Sequence, residues 1–268
     1  MTASHGGRDA SALDKARILI LGGTAEARAL AARFDAGGEH RVTLSLAGRT
    51  LDPARQPVPV RTGGFGGVAG LEAYLRQEQI DLLIDATHPF ARRISENADA
   101  AAKAAGVPLL RLERRGWEET ETDRWIRVGS IAEAVTALGE RPRRVFLAIG
   151  RQEAGAFDAA PQHHYLVRSV DPVVPPLAAP HVDYLLARGP FAVEAEVDLL
   201  KRRRIEMIVS KNSGGEATAA KIVAARILDL PVVMIDRGAS GGENRAETVG
   251  EAMRLAGHLL AAPRKRGV

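Results

Sequence analysis

Short apolar runs alternate with helix-length amphipathic segments along nearly the whole chain, with no hairpin signal between them. This alternation predicts an α/β fold of mainly parallel sheets with helices on both faces. The length, 268 residues, fits two such domains of ordinary size. Glycines cluster where apolar runs end and helices begin, as at Gly22-Gly23, Gly63-Gly64 and Gly214-Gly215, which is how strand ends are turned toward a ligand in such folds.

The first element is a strand at Ile18 to Leu21, and helix formers follow with Ala27, Leu30, Ala31 and Phe34 on one stripe. Further strands are expected at Arg41 to Leu46, at Pro57 to Arg61 and, after a helix over Val68 to Gln77, at Asp81 to Ile84. The Ala-rich stretch Phe90 to Ala105 reads as a helix with Pro89 at its first position, stopped by Gly106 and Pro108 before a strand at Leu109 to Leu112. After Trp117 the rhythm resumes. Strands are expected at Trp125 to Val128, Arg144 to Ile149, Tyr165 to Val170, Tyr184 to Ala187, Glu206 to Val209 and Val232 to Ile235. Helices are expected near Ile131 to Leu138, Val193 to Arg203, Glu216 to Leu228 and Thr248 to Leu260. The proline-rich stretch Asp171 to Pro180 reads as a stiff surface connection.

The chain thus divides into a polar leader over 1–15, expected to be disordered, and two Rossmann-like or flavodoxin-like α/β domains over 16–116 and 117–268, with the polar stretch RGWEETET as the boundary. The leader lacks the apolar centre of a secretory signal and no apolar run is long enough to span a bilayer, so a soluble, cytoplasmic protein is expected. Absence of cysteine removes disulfides, thiol nucleophiles and cysteine-held metals, which leaves redox chemistry to an organic cofactor. The formal charge of +4 favours an anionic partner. Nucleic acid is a poor candidate, because aromatic residues make up only 4% and the basic runs KRRR and RKR are short.

The first turn, Gly22-Gly23-Thr24-Ala25-Glu26-Ala27, matches a dinucleotide-binding fingerprint in part, with Thr24 where its second glycine would stand. Thr24 can cap the helix or offer its hydroxyl to a phosphate; the plainer alternative is an ordinary strand-to-helix turn. The second strand ends in Ser45-Leu46-Ala47-Gly48-Arg49-Thr50 with no acid before Asp52, which favours the 2′-phosphate of NADP(H) over the bare ribose of NAD unless Arg49 is merely an exposed loop residue. The run Gly63-Gly64-Phe65-Gly66-Gly67 would let backbone approach a ligand, with Phe65 able to stack on a flat ring. Asp85-Ala86-Thr87-His88-Pro89-Phe90 follows the fourth strand, and His88 is either a proton donor or a hydrogen-bonding group at a helix start.

In the second half, Ser210-Lys211-Asn212-Ser213-Gly214-Gly215 combines a cation, an amide, a hydroxyl and two glycines ahead of a helix, an arrangement able to grip carboxylates or phosphates. Gly150-Arg151 and Arg188-Gly189-Pro190-Phe191 end two other strands. The pair His163-His164 has no acidic neighbours and reads as a polar strand start, so no metal site is expected.

Taken in order, GGTAEA at 22–27, GGFGG at 63–67, DATHPFA at 85–91, AIGRQ at 148–152, RGPF at 188–191 and SKNSGG at 210–215 resemble the precorrin-6A reductase family of cobalamin biosynthesis. The resemblance implies an enzyme that uses NADPH to reduce one double bond of precorrin-6A to give precorrin-6B, or its cobalt-containing counterpart, by direct hydride transfer in an inter-domain cleft. It implies that Gly22, Gly23, Thr24, Glu26, Ser45, Arg49, Thr50, Gly64, Phe65, Thr87, His88 and Pro89 surround the cofactor, with His88 as the candidate proton donor. Gly150, Arg151, Lys211, Asn212, Ser213, Gly214 and Gly215 would then hold the tetrapyrrole carboxylates. Transient contact with neighbouring pathway enzymes is a further expectation. An S-adenosylmethionine-dependent methyltransferase and a non-catalytic two-lobed binder of an anionic ligand are the rival readings, which nucleotide binding separates.

Overall fold

The computed structural model describes residues 15–48, 55–238 and 241–262. In chain order its elements begin with β1 (Arg17–Leu21), α1 (Ala25–Gly37), β2 (Arg41–Leu46), β3 (Val60–Thr62), α2 (Val68–Gln77), β4 (Leu82–Asp85), α3 (Arg92–Ala105) and β5 (Leu109–Leu112). They continue with β6 (Trp125–Val128), α4 (Ile131–Ala137), β7 (Arg144–Ala148), β8 (His164–Ser169), β9 (Val182–Leu186), α5 (Val193–Arg202) and β10 (Met207–Lys211). The last are α6 (Ala220–Ile227), β11 (Val232–Ile235), β12 (Arg245–Ala246) and α7 (Val249–Ala261). Among the described residues two 3-10 segments, Ala154–Ala159 and Glu216–Thr218, accompany them. The strands form two six-stranded sheets in which every pairing is parallel.

In the first unit the order is β12-β5-β4-β1-β2-β3. Side chains alternate across its strands, so Ile18, Ile20, Leu44, Leu82, Ile84 and Leu110 join Ala27, Leu30, Ala31 and Phe34 of α1 and Ala252 and Ala256 of α7 on one face. Leu19, Leu21 and Leu83 meet Leu71 and Leu75 of α2 and Ala98, Ala101 and Ala102 of α3 on the other. Small residues on α3 and α7 let helix backbones lie close to the strands. Helix α1 starts where the Thr24 hydroxyl accepts from the Ala27 N–H (3.0 Å), and it stops at left-handed Gly38, whose N–H reaches Phe34 O and Asp35 O. Thr248 and Glu251 form a reciprocal capping box at the start of α7.

The second unit has the order β6-β11-β10-β7-β8-β9. Phe146, Leu166, Ile208, Val232 and Met234 form one face with Leu200 of α5 and Ile222, Ala224 and Ala225 of α6. Tyr165, Phe146 and Phe157 are its largest fully buried side chains.

Four expectations need correction. The assignment of 117–268 to the second domain fails at its end: the chain from Gly241 belongs with the first unit, and the second starts at Arg114. β12 pairs with β5 (Arg245↔Arg111, Ala246↔Leu112), and the apolar stripe of α7 completes the α1 face of the first sheet. A two-residue strand carries too little pattern to announce which sheet it joins. Helix α3 begins at Arg92, so Pro89 lies in the preceding turn, where the Ala91 N–H bonds His88 O (2.7 Å). The expected helix from Glu216 is instead the 3-10 turn Glu216–Thr218 followed by α6. The segment 171–180 has no regular structure, as expected, but it is only half on the surface: Asp171, Val173, Leu177 and Ala179 are buried between exposed neighbours. Residues 1–14 of the expected leader lie outside the described residues.

Candidate functional site

In the first unit the chain leaves β1 for β2 on one side, while β4 lies on the other, so the carboxyl ends of β1 and β4 flank the point where the strand order reverses. At the end of β1, the Gly22 N–H bonds Ser45 O (2.9 Å), and a Cβ on Gly22 would come 2.6 Å from Leu44 Cδ1, so a larger residue there would have to displace the Leu44 side chain. Gly23 has φ +117, and a Cβ there would meet open space. The Thr24 hydroxyl accepts from Ala27 N and donates to Ala86 O (2.8 Å), which ties the start of α1 to the end of β4. With its donor used in this way, Thr24 serves as a cap and a strand-end link. Glu26 sits half-buried in the first turn of α1.

Ser45, at the end of β2, is buried. Arg49 and Thr50 lie outside the described residues. Beyond β3, Gly63, Gly66 and Gly67 adopt φ of +111, +84 and +88, a backbone that requires glycine, and a Cβ on any of these or on Gly64 would meet open space. Arg61 organises this loop. Its guanidinium donates to Gly63 O (2.6 Å), Gly64 O (2.8 Å) and Ser45 Oγ (3.4 Å) and lies 3.8 Å from the Phe65 ring centroid. Phe65 in turn meets Tyr74 of α2 edge-on at 5.1 Å.

The end of β4 carries a buried ionic network. Asp85 Oδ1 accepts from the N–H (3.1 Å) and hydroxyl (2.7 Å) of Thr87, and Oδ2 lies 3.4 Å from Arg111 Nε in an ion pair without hydrogen-bond geometry. Arg111 also holds Asp99 (2.8 Å) and Gly241 O (2.6 Å). Thr87 is therefore set by Asp85. His88 is half-buried, and its Nδ1 accepts from the Phe90 N–H (3.3 Å), which directs the ring proton to Nε2. These bonds draw Gly22, Gly23, Thr24, Ser45, Gly64, Phe65 and Thr87 to one edge of the sheet, with His88 and Pro89 in the turn beside them.

In the second unit β7 and β10 are neighbours, which brings Gly150 and Arg151 beside the segment 211–215. Lys211 Nζ pairs with Glu153 Oε1 at 2.5 Å. Asn212 is buried and committed: Oδ1 accepts from Trp117 N (2.7 Å), Nδ2 donates to Trp117 O (3.1 Å), and its carbonyl accepts from Arg237 Nε (3.2 Å). Arg114 Nε donates to Ser213 O (2.8 Å) and Trp117 Nε1 to Gly215 O (3.2 Å). A Cβ on Gly214 would fall 1.9 Å from Arg115 O. The stretch 114–117 thus clamps the glycine loop, and Asn212 positions it with an amide already spent on Trp117.

Beneath this loop lies a charged cluster that sequence reasoning missed. Lys221 sits 4.5 Å from the centroid of the Trp117 ring and donates to Thr218 O (2.8 Å), with its pKa pushed down to about 7, chiefly by burial and then by the Arg168 charge. Arg168 pairs with Glu196 (2.5 Å) and is stacked between Phe146 and Phe191, while Phe191 N bonds Ala217 O (3.3 Å). The only signals in the sequence were isolated Arg and Lys, the residue types most often solvated. The histidine pair separates: His163 is fully buried, which pushes its pKa below the ordinary imidazole value, and His164 faces Asp183 at 3.3 Å.

Comparison with known proteins follows the same line. The family described as precorrin-6x reductase CbiJ/CobK matches residues 17–256. The precorrin-6A reductase of Sinorhizobium sp is 53% identical over 253 residues, covering 94% of this chain and 97% of that protein. The cobalt-precorrin-6A reductase of Priestia megaterium is 28% identical over 231 residues, covering 82% and 90%. A solved structure of CobK precorrin-6A reductase shares 47% identity with a TM-score of 0.87 and covers 94% of this chain and 100% of that one. The chain belongs to the precorrin-6x reductase family.

Proposed function

We propose that the protein is an NADPH-dependent oxidoreductase that reduces one double bond of precorrin-6A to give precorrin-6B. The observation that carries the nucleotide part is the open, glycine-lined carboxyl edge of the first sheet. There a Cβ on Gly23, Gly63, Gly64, Gly66 or Gly67 would meet nothing within 4 Å, so backbone is presented where a pyrophosphate or a flat ring can come close. The residues present suit the cofactor: Gly22 makes the turn, the N–H groups at the very start of α1 would suit an anion, and the loop beyond β3, with Arg61 already stacked on Phe65, presents bare glycine backbone. Bound NADPH supplies the hydride.

The chain's own residues hold and orient. Thr24 and Asp85, through Ala86 and Thr87, fix the ends of β1 and β4 relative to each other. His88, in the turn beside this edge, is the candidate donor of the proton that completes the reduction, a role that it would fill as the imidazolium. In the second unit Arg151, Lys211 and the backbone of 213–215 attract the acetate and propionate carboxylates of the macrocycle, and the clamp at 114–117 preorganises them. The metal-free substrate is favoured because the relative named for it is the more similar, at 53% against 28% identity. A cytoplasmic location is part of this reading and is supported by the biosynthetic role. Among the described residues no helix is long and apolar enough to cross a membrane.

Calorimetric titration with NADPH and NADH, followed by anaerobic mixing of the NADPH complex with precorrin-6A, tests the proposal. Tight NADPH binding, weak NADH binding and loss of reduced-nicotinamide absorbance on adding the tetrapyrrole are expected. Binding of S-adenosylmethionine in place of both nucleotides overturns it.

A further inference from the structure

We propose that Arg61, at the end of β3, receives the 2′-phosphate of the nucleotide and so sets the preference for NADPH over NADH. The inference rests on the nucleotide reading above and adds to it a residue absent from the fingerprint turn.

Its position comes from register. Leu21 pairs with Ser45 and Ser45 with Arg61, so the three residues form a row across the carboxyl ends of β1, β2 and β3. Neighbouring strands lie about 4.8 Å apart, which puts Arg61 roughly 10 Å along the edge from the turn that would hold the pyrophosphate. That is the side away from β4, where the adenosine half lies when the nicotinamide half lies toward the strand-order switch.

Its chemistry comes from its partners. Among the described residues, the groups that hold the guanidinium are two carbonyl oxygens, one hydroxyl and the rings of Phe65 and Tyr74, all of them uncharged. A cation fixed in this way keeps its full charge for an incoming anion. The fork is also preorganised: stacking on Phe65 and two short bonds to the glycine loop set its plane before ligand arrives, so little rotamer entropy is lost on binding. Ser45, 3.4 Å away, adds a neutral hydroxyl where an enzyme selecting NADH would carry a carboxylate.

The experiment is calorimetric titration of wild-type protein and of the Arg61→Met, Arg61→Lys and Arg49→Ala variants with NADPH, NADH, 2′,5′-ADP and 5′-AMP, with circular dichroism to verify folding. Arg61→Met is expected to weaken NADPH and 2′,5′-ADP by about 10- to 100-fold more than it weakens NADH and 5′-AMP, the loss of one charge-assisted contact over and above any loosening of the glycine loop. Arg61→Lys should recover part of the discrimination. Equal loss for the phosphorylated and unphosphorylated ligands would mean that Arg61 only staples the glycine loop, and unchanged NADPH binding in Arg61→Met with loss in Arg49→Ala would move the subsite to Arg49; either result overturns the proposal. Wild-type protein that binds neither NADPH nor NADH overturns the nucleotide reading itself, an outcome distinct from both.

Discussion

Lys221 is an ammonium almost wholly out of water, and what keeps it there is a ring face, one carbonyl and the carboxylate of Glu196, already shared with Arg168. Burial disfavours its charged form, so its folded pKa, about 7, lies below the ordinary value of 10.5. Between these values the unfolded chain binds the extra proton and the folded chain does not, so folding stability rises with pH across this window. Below pH 7 both states are protonated and the full cost remains. Wild-type protein is therefore expected to gain stability toward denaturant between pH 7 and pH 9, by an amount on the order of 1–3 kcal/mol, and Lys221→Met to lose that gain while being the more stable protein at pH 7. The upper limit of pH 9 avoids Tyr165, whose phenol burial pushes up and whose ionisation in the unfolded chain would act in the opposite direction. A pH slope that survives in Lys221→Met would assign it to another group. Nothing in the local sequence AAKIVAA marked this lysine, because burial of a charge depends on Trp117, far away in the chain.

At the scale of elements, strand-helix alternation made most of both sheets legible. Continuous apolar strands such as Ile18 to Leu21 and Val232 to Ile235 and regular helix stripes are strong local signals, and they end near the predicted residues. The failures share a cause. β12, the 3-10 turns and the start of α3 are set by long-range pairing or by single hydrogen bonds, which leave no period in the sequence. The site divides in the same way: glycines with positive φ were visible as glycines, but the reciprocal amide bonds between Asn212 and Trp117 were not, since their partners lie 95 residues apart. RGWEETET looked like a linker because it is polar; its first residues clamp the glycine loop instead. Asn212→Ala should leave two half-buried backbone groups of Trp117 without their amide partner, at a cost of about 1–3 kcal/mol. The loosened loop should weaken binding of precorrin-6A at least tenfold while leaving NADPH affinity unchanged, as read by titration with each ligand. Equal weakening of both ligands would mean that the clamp supports more than the tetrapyrrole loop.

For the whole molecule, the return of the chain from Gly241 to the first unit makes that unit discontinuous and the second one continuous. Removing the chain from Gly241 onward would strip β12 from the edge of the first sheet and uncover the face on which Ile18, Ile20, Leu44, Ile84 and Leu110 pack with Ala252 and Ala256. Burying one large apolar side chain contributes roughly 1.5–3 kcal/mol, so loss of a whole helix face exceeds the 5–15 kcal/mol that a domain typically has in reserve. The six strands of the second sheet all lie between Trp125 and Ile235 and lose nothing. Both tryptophans of the chain, Trp117 and Trp125, belong to that second unit, so their emission reports on it alone. A chain ending at Ser240 is therefore expected to lose nicotinamide-nucleotide binding and roughly two thirds of its helical circular-dichroism signal, yet to keep the tryptophan emission of the intact protein and a cooperative unfolding transition. Emission shifted to that of the denatured chain would show instead that the second unit cannot fold without the first, and that the continuous stretch from Arg114 is a unit of packing only.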